Sequence, residues 1–162
     1  MKYQPKIGYI SNDVVQTPPD LAKKIVSYFS PRGKILEPCR GKGNFFRFLP
    51  CAEWCEISKG RDFMQYNNHV NWIVTNPPWS KITDFLKHSL DVSDNVVFLL
   101  TLNHLWTEAR IRAIKERGCG IKTIICLKWP PKSSGFPRSG FQLGVVHIKK
   151  GWKGGIKFAT ID

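Results

Sequence analysis

A short apolar run that is ended by two prolines constrains the fold of this chain more than any other stretch. Residues 72–75, Trp-Ile-Val-Thr, are followed by Asn-Pro-Pro-Trp at residues 76–79. Such a run predicts a buried strand, and Pro77 must end it because proline has no N–H to donate to a neighbouring strand. Asn76 is therefore predicted at the carboxyl end of a strand. In an open α/β sheet, that edge is where ligands bind.

The rest of the chain alternates between helix and strand patterns. After residue 79 the predicted elements are a helix, a strand, a helix and a strand, at residues 82–90, 95–100, 105–117 and 121–127. Residues 143–148 and 156–161 are predicted to pair with each other as a closing hairpin. We therefore predict one α/β domain over residues 1–162, with a mostly parallel sheet and an antiparallel C-terminal edge hairpin.

The residues at the end of the first run suit chemistry on a flat nitrogen base. The lone pair of an exocyclic amine, such as adenine N6 or cytosine N4, is delocalised into the ring, so the amine is a poor nucleophile. The side-chain oxygen of Asn76 and the carbonyl oxygen of Pro77 could accept its two N–H groups and localise the lone pair. Trp79, with an exposed-facing indole, would stack on a base taken out of the duplex. The alternative is a rigid turn in which Trp79 is a packing residue.

A glycine-bearing turn predicts a second place where a ligand meets the backbone. A short strand ending near Glu37 precedes Cys-Arg-Gly-Lys-Gly-Asn at residues 39–44, where Gly41 and Gly43 allow close approach. The phosphate-binding GxGxxG pattern is not met, because its third glycine position is Phe46. The carboxylate of Glu37 favours a ligand with a positive amino group, such as S-adenosylmethionine.

Two further acids follow a predicted second strand at residues 52–57. Glu56 lies 19 residues after Glu37, close to the interval of about 20 residues at which an acid reaches ribose hydroxyls in doubly wound folds. Glu53 is the competing candidate. Asp62 and Phe63 could lie beside an adenine, although Asp62 could equally cap a turn.

The pattern Thr-Pro-Pro-Asp at residues 17–20 predicts the start of a helix, with Thr17 as its cap and Pro18 at its first helical position. The free N–H groups of a helix start can also meet the carboxylate of a ligand.

The charge of the chain favours a polyanionic partner. Lys and Arg number 25 against 12 Asp and Glu, and the formal net charge is +13. Residues 103–162 hold twelve of the cations and only three of the acids. Within them, the segment 128–138 combines cations with rings, as sites for single-stranded or flipped-out nucleic acid do. We predict contacts from Lys128, Trp129, Lys132 and Arg138. The alternative is a proline-rich turn with one or two buried rings.

Other features predict a cytoplasmic protein. No apolar run approaches the roughly 20 residues of a membrane span, and the first residues lack the apolar core of a signal peptide. The five cysteines are scattered without paired spacing or nearby histidines, which suits a reducing compartment and predicts no metal site.

Two of these stretches resemble motifs of a known enzyme family. Residues 37–45 resemble motif I, and residues 76–79 resemble motif IV, of the S-adenosylmethionine-dependent amino-methyltransferases that modify adenine N6 or cytosine N4. The motif order is similar to that of the gamma group, since Thr-Pro-Pro at 17–19 resembles motif X and precedes motif I. The resemblance covers residues 15–105. It departs from the family in a short helix after motif I and in the absence of a separate target-recognition domain.

The resemblance implies a Rossmann-like class I methyltransferase fold and a role for each matching residue. Asn76, Pro77 and Trp79 would hold and activate the target base. The implied cofactor contacts are Thr17, Pro18, Glu37, Gly41, Glu56, Asp62, Phe63 and Asn76.

We predict from this that the chain transfers a methyl group from S-adenosylmethionine to adenine N6 in DNA. A partner subunit could supply target recognition. The alternatives are an RNA adenine-N6 or DNA cytosine-N4 methyltransferase, a protein-glutamine methyltransferase, and a non-catalytic nucleic-acid-binding subunit. The net charge disfavours the glutamine enzyme.

Overall fold

A seven-stranded sheet forms the centre of the computed structural model, which describes residues 13–161. The strands, in chain order β1 to β7, are Ile35–Glu37, Glu53–Trp54, Val70–Thr75, Ser93–Thr101, Cys119–Cys126, Leu143–Lys150 and Lys157–Thr160. Their order across the sheet is β2-β1-β3-β4-β6-β5-β7. From β1 the chain moves first to β2 on one side and later to β3 on the other. A crevice therefore opens outside the carboxyl ends of β1 and β3.

The sheet is parallel except for β6, which pairs antiparallel with both β4 and β5. The predicted α/β class, with a mostly parallel sheet and an antiparallel hairpin near its C-terminal edge, is confirmed. The strands of the hairpin differ from the prediction, because β6 pairs with β5 and not with β7. β7 is a parallel edge strand beside β5. The apolar pattern of β6 is the same whichever strand lies beside it, so the pattern did not determine its partner.

Within residues 13–161, three α-helices cover the sheet: α1 (Pro19–Phe29), α2 (Ile82–Val92) and α3 (Glu108–Glu116). α1 packs on one face, where Ala22, Ile25 and Val26 join the core. α2 and α3 pack on the other face through residues such as Leu86, Leu90 and Ile114. α2 and α3 lie within or close to their predicted ranges, and Gly118 follows α3 with a φ of +63°, as its predicted stop requires.

The start of α1 differs from the prediction. Pro18 is the N-cap residue, and no side chain bonds to the free N–H groups of the first turn. The hydroxyl of Thr17 is buried without a hydrogen-bond partner. Capping by Thr17 is therefore wrong, and its hydroxyl remains available to the crevice described below.

The structure also bears on the predictions about membrane spans, cysteines and a signal peptide. In residues 13–161, no helix is both long and apolar enough to span a membrane. All five cysteines are free thiols. The first twelve residues, on which the expectation about a signal peptide depends, lie outside the described part of the chain.

Candidate active site

A cavity of about 750 Å³ lies at the carboxyl ends of β1 and β3. Its volume is within the range of about 300–1,000 Å³ that is usual for small-molecule sites. Seven of the predicted site residues line it: Thr17, Glu37, Gly41, Glu56, Asp62, Phe63 and Asn76. Pro18, Pro77 and Trp79 are not among its lining residues. The sheet topology thus brings most of the predicted cofactor residues to one place, although they are spread over sixty positions of the sequence.

The last residue of β1, Glu37, is a buried carboxyl group in the wall of this cavity. Its exposed fraction is 1%, and its Oε2 atom has no hydrogen-bond partner. Burial raises the pKa of Glu37 to about 8, although a backbone bond at Phe46 and the charge of Arg40 act in the opposite direction. A cation placed in the cavity would supply the missing partner and favour the ionised form.

Glu56 holds the glycine turn against the site. Its Oε2 accepts the N–H of Gly41 at 2.7 Å, and its Oε1 accepts the N–H and hydroxyl of Ser58 at 3.1 and 2.8 Å. Burial by itself would raise the pKa of Glu56, but these bonds outweigh it and the pKa lies below its ordinary value. Glu56 is therefore ionised at neutral pH. Its role in the turn comes in addition to any contact that it makes with a ribose.

Residues 13–17 cross the cavity and join the two motif regions. The side-chain oxygen of Gln16 accepts the N–H of Lys42 at 3.0 Å, and the carbonyl of Thr17 accepts the Asn44 amide at 2.8 Å. At the other end, the Asp13 carboxylate accepts the hydroxyl of Ser80. Sequence reasoning missed Gln16, because a contact between residues 16 and 42 leaves no local pattern.

Asp62 and Phe63 form the wall opposite the glycine turn. Asp62 Oδ1 accepts the N–H of Met64 at 2.9 Å and so caps a 3₁₀ turn. The capping role that the sequence left open for Asp62 is therefore present, and the residue also lines the cavity. Phe63 is buried between the rings of Phe85 and His88, at 5.3 and 4.7 Å. The Phe63 ring can contact an adenine only through the small part of its surface that faces the cavity.

Asn76 follows β3 directly, as predicted, and its amide is already bonded. The Trp79 indole N–H donates to Asn76 Oδ1 at 3.2 Å and to the carbonyl of Leu99 at 3.4 Å. The Trp79 side chain is half-buried against both faces of the core and contacts the His104 ring at 5.6 Å. The expectation of an exposed-facing indole is therefore wrong. These bonds fix which atom of the Asn76 amide faces Trp79.

The segment 128–138 follows β5, so it lies at the same edge of the sheet as the cavity. Trp129 is half-buried, with its ring 6.1 Å from that of the buried Phe136. Arg138 is exposed and donates to the carbonyl of Pro130 at 3.0 Å, while Lys128 and Lys132 are exposed. The segment therefore contains both the buried rings of the alternative interpretation and the exposed cations of a binding surface.

Two large rings at this edge escaped sequence analysis. Trp106, between β4 and α3, is 52% exposed, and Phe141, just before β6, is 57% exposed. The loops that carry them meet where the Leu102 N–H donates to the Gln142 carbonyl at 2.8 Å. No periodic pattern distinguishes these rings from core residues, so only the structure shows that they are exposed.

Comparisons with known proteins agree with this architecture. No protein-family model matches the sequence, and no curated protein matches it significantly. A solved structure from Pyrococcus horikoshii, described as an RNA methyltransferase, has a TM-score of 0.62 at 14% identity over 87% of this chain and 87% of that one. One from Listeria monocytogenes, described as a class I S-adenosylmethionine-dependent methyltransferase, has a TM-score of 0.64 at 12% identity, over 95% of this chain and 68% of that one.

A third solved structure contains a ligand. Magnesium protoporphyrin IX methyltransferase from Synechocystis PCC 6803, with bound S-adenosylmethionine, has a TM-score of 0.60 at 9% identity over 82% of this chain and 79% of that one. At these identities the similarity shows the fold. The chain has the Rossmann-like fold of class I methyltransferases, as predicted.

Proposed function

We propose that this chain is an S-adenosylmethionine-dependent methyltransferase that modifies the N6 amine of adenine in DNA. The observation that carries the proposal is one cavity, at the switch point of the sheet, that is lined both by the carboxyl of Glu37, whose Oε2 has no partner, and by the amide of Asn76. The first group suits a ligand with an ammonium group, and the second suits a planar amine.

The residues present fit S-adenosylmethionine. Its amino group would give Glu37 Oε2 the partner that it lacks, and its carboxylate could accept the Thr17 hydroxyl, which is also buried without a partner. Glu56 keeps acceptor capacity for ribose hydroxyls beyond the bonds from Gly41 and Ser58. Bound there, S-adenosylmethionine would supply an electrophilic methyl group on sulfur. The known ligand of the Synechocystis protein supports this assignment.

Activation of the target amine is assigned to Asn76 and Pro77. A carboxamide oxygen has two lone pairs, so Asn76 Oδ1 can accept one amine hydrogen while it holds the Trp79 N–H. The carbonyl of Pro77 would accept the second amine hydrogen. The nitrogen lone pair is then free to form the new N–C bond as the S–C bond breaks, and the amine proton leaves to solvent.

Nucleic acid is proposed as the substrate because of charge. The excess of +13 suits a polyphosphate, and exposed cations follow β5 at the edge that carries the cavity. RNA is the second candidate, which the Pyrococcus horikoshii structure favours through its description as an RNA methyltransferase. The net charge disfavours a protein amide as the substrate.

The test is incubation with methyl-labelled S-adenosylmethionine and matched pools of DNA, RNA and protein, followed by digestion and identification of the methylated nucleoside. We expect label in N6-methyladenine from DNA. Asn76→Ala should abolish labelling without loss of cofactor binding, whereas the exposed Asn67→Ala should leave labelling unchanged. Label in RNA, in N4-methylcytosine or in protein would identify a substrate other than the proposed one. Absence of both labelling and cofactor binding would refute the proposal that the chain is a methyltransferase.

A further inference from the structure

The edge of the sheet that lies opposite the cavity carries a cluster of lysines and rings. We call it the basic edge and define it by Tyr28, Lys122, Lys149, Lys150, Trp152, Lys153 and Lys157. The cluster follows from the reversed direction of β6, because Lys149 and Lys150 end that strand where β4 and β5 begin. In the register of β4 and β6, Lys149 pairs with Asn95 and Leu143 with Thr101, so at about 3.3 Å per residue the six positions between them set Lys149 about 20 Å from the cavity side.

Acidic side chains do not neutralise this edge. Asp91 accepts the Arg117 guanidinium at 2.7 and 3.2 Å, and Asp94 contacts His69 at 3.1 Å. The seven residues that define the basic edge include five lysines and no acid. None of these lysines takes part in the three ion pairs found in residues 13–161. Like charges held together in this way attract a polyanion.

The rings of the basic edge are held in place by the fold. The Trp152 N–H donates to the Gly155 carbonyl at 3.3 Å, and the Lys122 ammonium lies 5.1 Å from the ring centroid. A Cβ on Gly154 would lie 2.6 Å from the Trp152 ring, so only glycine fits there without a shift. Lys157 lies over the Tyr28 ring at 5.7 Å. Cations are thus presented beside rings, with the Trp152 side chain half-exposed.

We propose that the basic edge is a second nucleic-acid-binding surface, which holds the phosphate backbone of a long substrate away from the cavity. This inference rests on the proposed function for the identity of the polymer. Phosphates suit lysines because an ammonium group binds them as a point charge, without a fixed contact geometry. The half-exposed Trp152 ring adds a face on which a nucleic-acid base can stack. An acidic protein has no bases to stack there.

The separation of the two surfaces makes the proposal depend on substrate length. A short oligonucleotide can occupy the cavity side or the basic edge but cannot reach both. A long flexible strand can contact both, and the second contact then becomes intramolecular and raises the affinity. We therefore expect tighter binding and a steeper salt dependence for a single strand of about 30 nucleotides than for one of about three, which at about 3.4 Å per stacked nucleotide is too short to join the two surfaces.

The experiment measures binding without S-adenosylmethionine, so it does not depend on methyl transfer. Fluorescence anisotropy would compare the wild type, a Lys150→Gln and Lys153→Gln double variant, and a Lys87→Gln and Arg112→Gln control that removes the same charge from exposed positions of α2 and α3. For the long strand, the plot of log binding constant against log salt concentration should be less steep for the first variant than for the wild type. The slope should differ by about 1.4, because each phosphate contact on a single strand contributes about 0.7. The control should bind both the long and the short strand like the wild type.

Three outcomes would overturn the proposal. One is a wild-type salt slope for the long strand in the double variant. Another is an equal loss in the control, which would show only a general effect of net charge. The third is displacement of the long strand by polyglutamate at equal charge concentration, which would assign the basic edge to acidic proteins. Loss of labelling in the methyl-transfer assay would leave all three binding results unchanged, so the two proposals fail separately.

Discussion

At the scale of single residues, Glu37 is a carboxyl group that the fold removes from water. Because burial raises its pKa to about 8, its carboxyl is largely protonated at pH 7 in the ligand-free protein. A ligand ammonium beside Oε2 would stabilise the carboxylate and lower that pKa. We therefore predict that S-adenosylmethionine binding at pH 7 releases close to one proton.

Calorimetry in two buffers of different ionisation enthalpy measures that proton. The observed binding enthalpy should differ between phosphate and Tris for the wild type. It should be equal in the two buffers for Glu37→Gln, whose affinity should also fall by about 1.5–3 kcal/mol through loss of a charged hydrogen bond. Equal enthalpies for the wild type would show that Glu37 keeps its protonation state on binding.

Trp79 acts on the same scale, through its bond to Asn76. Trp79→Phe keeps an aromatic ring but removes the N–H that fixes Asn76 Oδ1. A neutral hydrogen bond contributes about 0.5–1.5 kcal/mol, so kcat should fall by roughly twofold to tenfold while cofactor affinity stays the same. Steady-state kinetics with the labelled cofactor measure this. A kcat unchanged from wild type would mean that Asn76 orients itself without Trp79.

At the scale of elements, the glycine turn after β1 offers a matched pair of substitutions. Gly41 and Gly135 both have positive φ, at +49° and +70°. A Cβ on Gly41 would lie 2.7 Å from Gln16 Oε1, whereas one on Gly135 would meet nothing within 4 Å. Both alanine variants should lose about 1–2 kcal/mol of stability for the left-handed backbone. Only Gly41→Ala should also weaken S-adenosylmethionine binding, because it displaces Gln16 at the cavity.

Denaturant unfolding and calorimetry on the two variants separate these effects. Equal loss of cofactor affinity in both would trace the effect to general destabilisation. Unchanged affinity in Gly41→Ala would remove the turn from the binding site.

The central strands carry a pH-sensitive group. His147 in β6 is stacked on Trp72 at 5.2 Å and lies 3.0 Å from Asn95 Oδ1. Burial, with the charges of Lys122 and Lys149, lowers the pKa of His147 to about 4. The fold therefore favours neutral imidazole, so this contribution to stability is complete above about pH 6.5 and is lost as the pH falls towards 4.

His147→Gln removes that titration. Between pH 6.5 and 4, the unfolding free energy of the variant should fall less steeply than that of the wild type, by up to about 1.4 kcal/mol per pH unit. Urea unfolding at several pH values measures both slopes. Parallel slopes would show that His147 titrates alike in the folded and unfolded chain.

The sequence predicted single strands and their ends better than it predicted pairing. Pro77 stops β3 whatever surrounds it, so the position of Asn76 followed from local chemistry. Glu37 at the end of β1 followed likewise. The partner of β6, the bond from Gln16 and the buried side of Trp79 depend on contacts between residues that are distant in sequence. Local periodicity holds no information on those contacts.

At the scale of the whole molecule, eight of the twelve cations of residues 103–162 are divided between two surfaces. Lys128, Lys132 and Arg138 follow β5 at the edge of the sheet that carries the cavity, whereas the lysines of the basic edge lie at the opposite edge. From the sequence alone, these cations could be described only as one excess of positive charge in residues 103–162. The structure therefore predicts two separable effects on substrate binding, one near the target base and one remote from it.

The last prediction concerns the cation group near the cavity. Replacing Lys128, Lys132 and Arg138 together by Gln should raise the substrate KM for short and long oligonucleotides alike, because every productive complex uses this side. On duplex DNA the log–log salt slope should flatten by about 0.9 per lost phosphate contact. Phosphate contacts carry little sequence information, so the loss should be similar for many flanking sequences. S-adenosylmethionine affinity should stay at the wild-type value, and the Lys87 and Arg112 double variant serves again as the charge control.

Since Arg138 also bonds to Pro130, a Lys128 and Lys132 double variant should show about two-thirds of the slope change if phosphate contact is the cause. A triple variant with wild-type KM and salt slope would show that this segment does not hold the substrate.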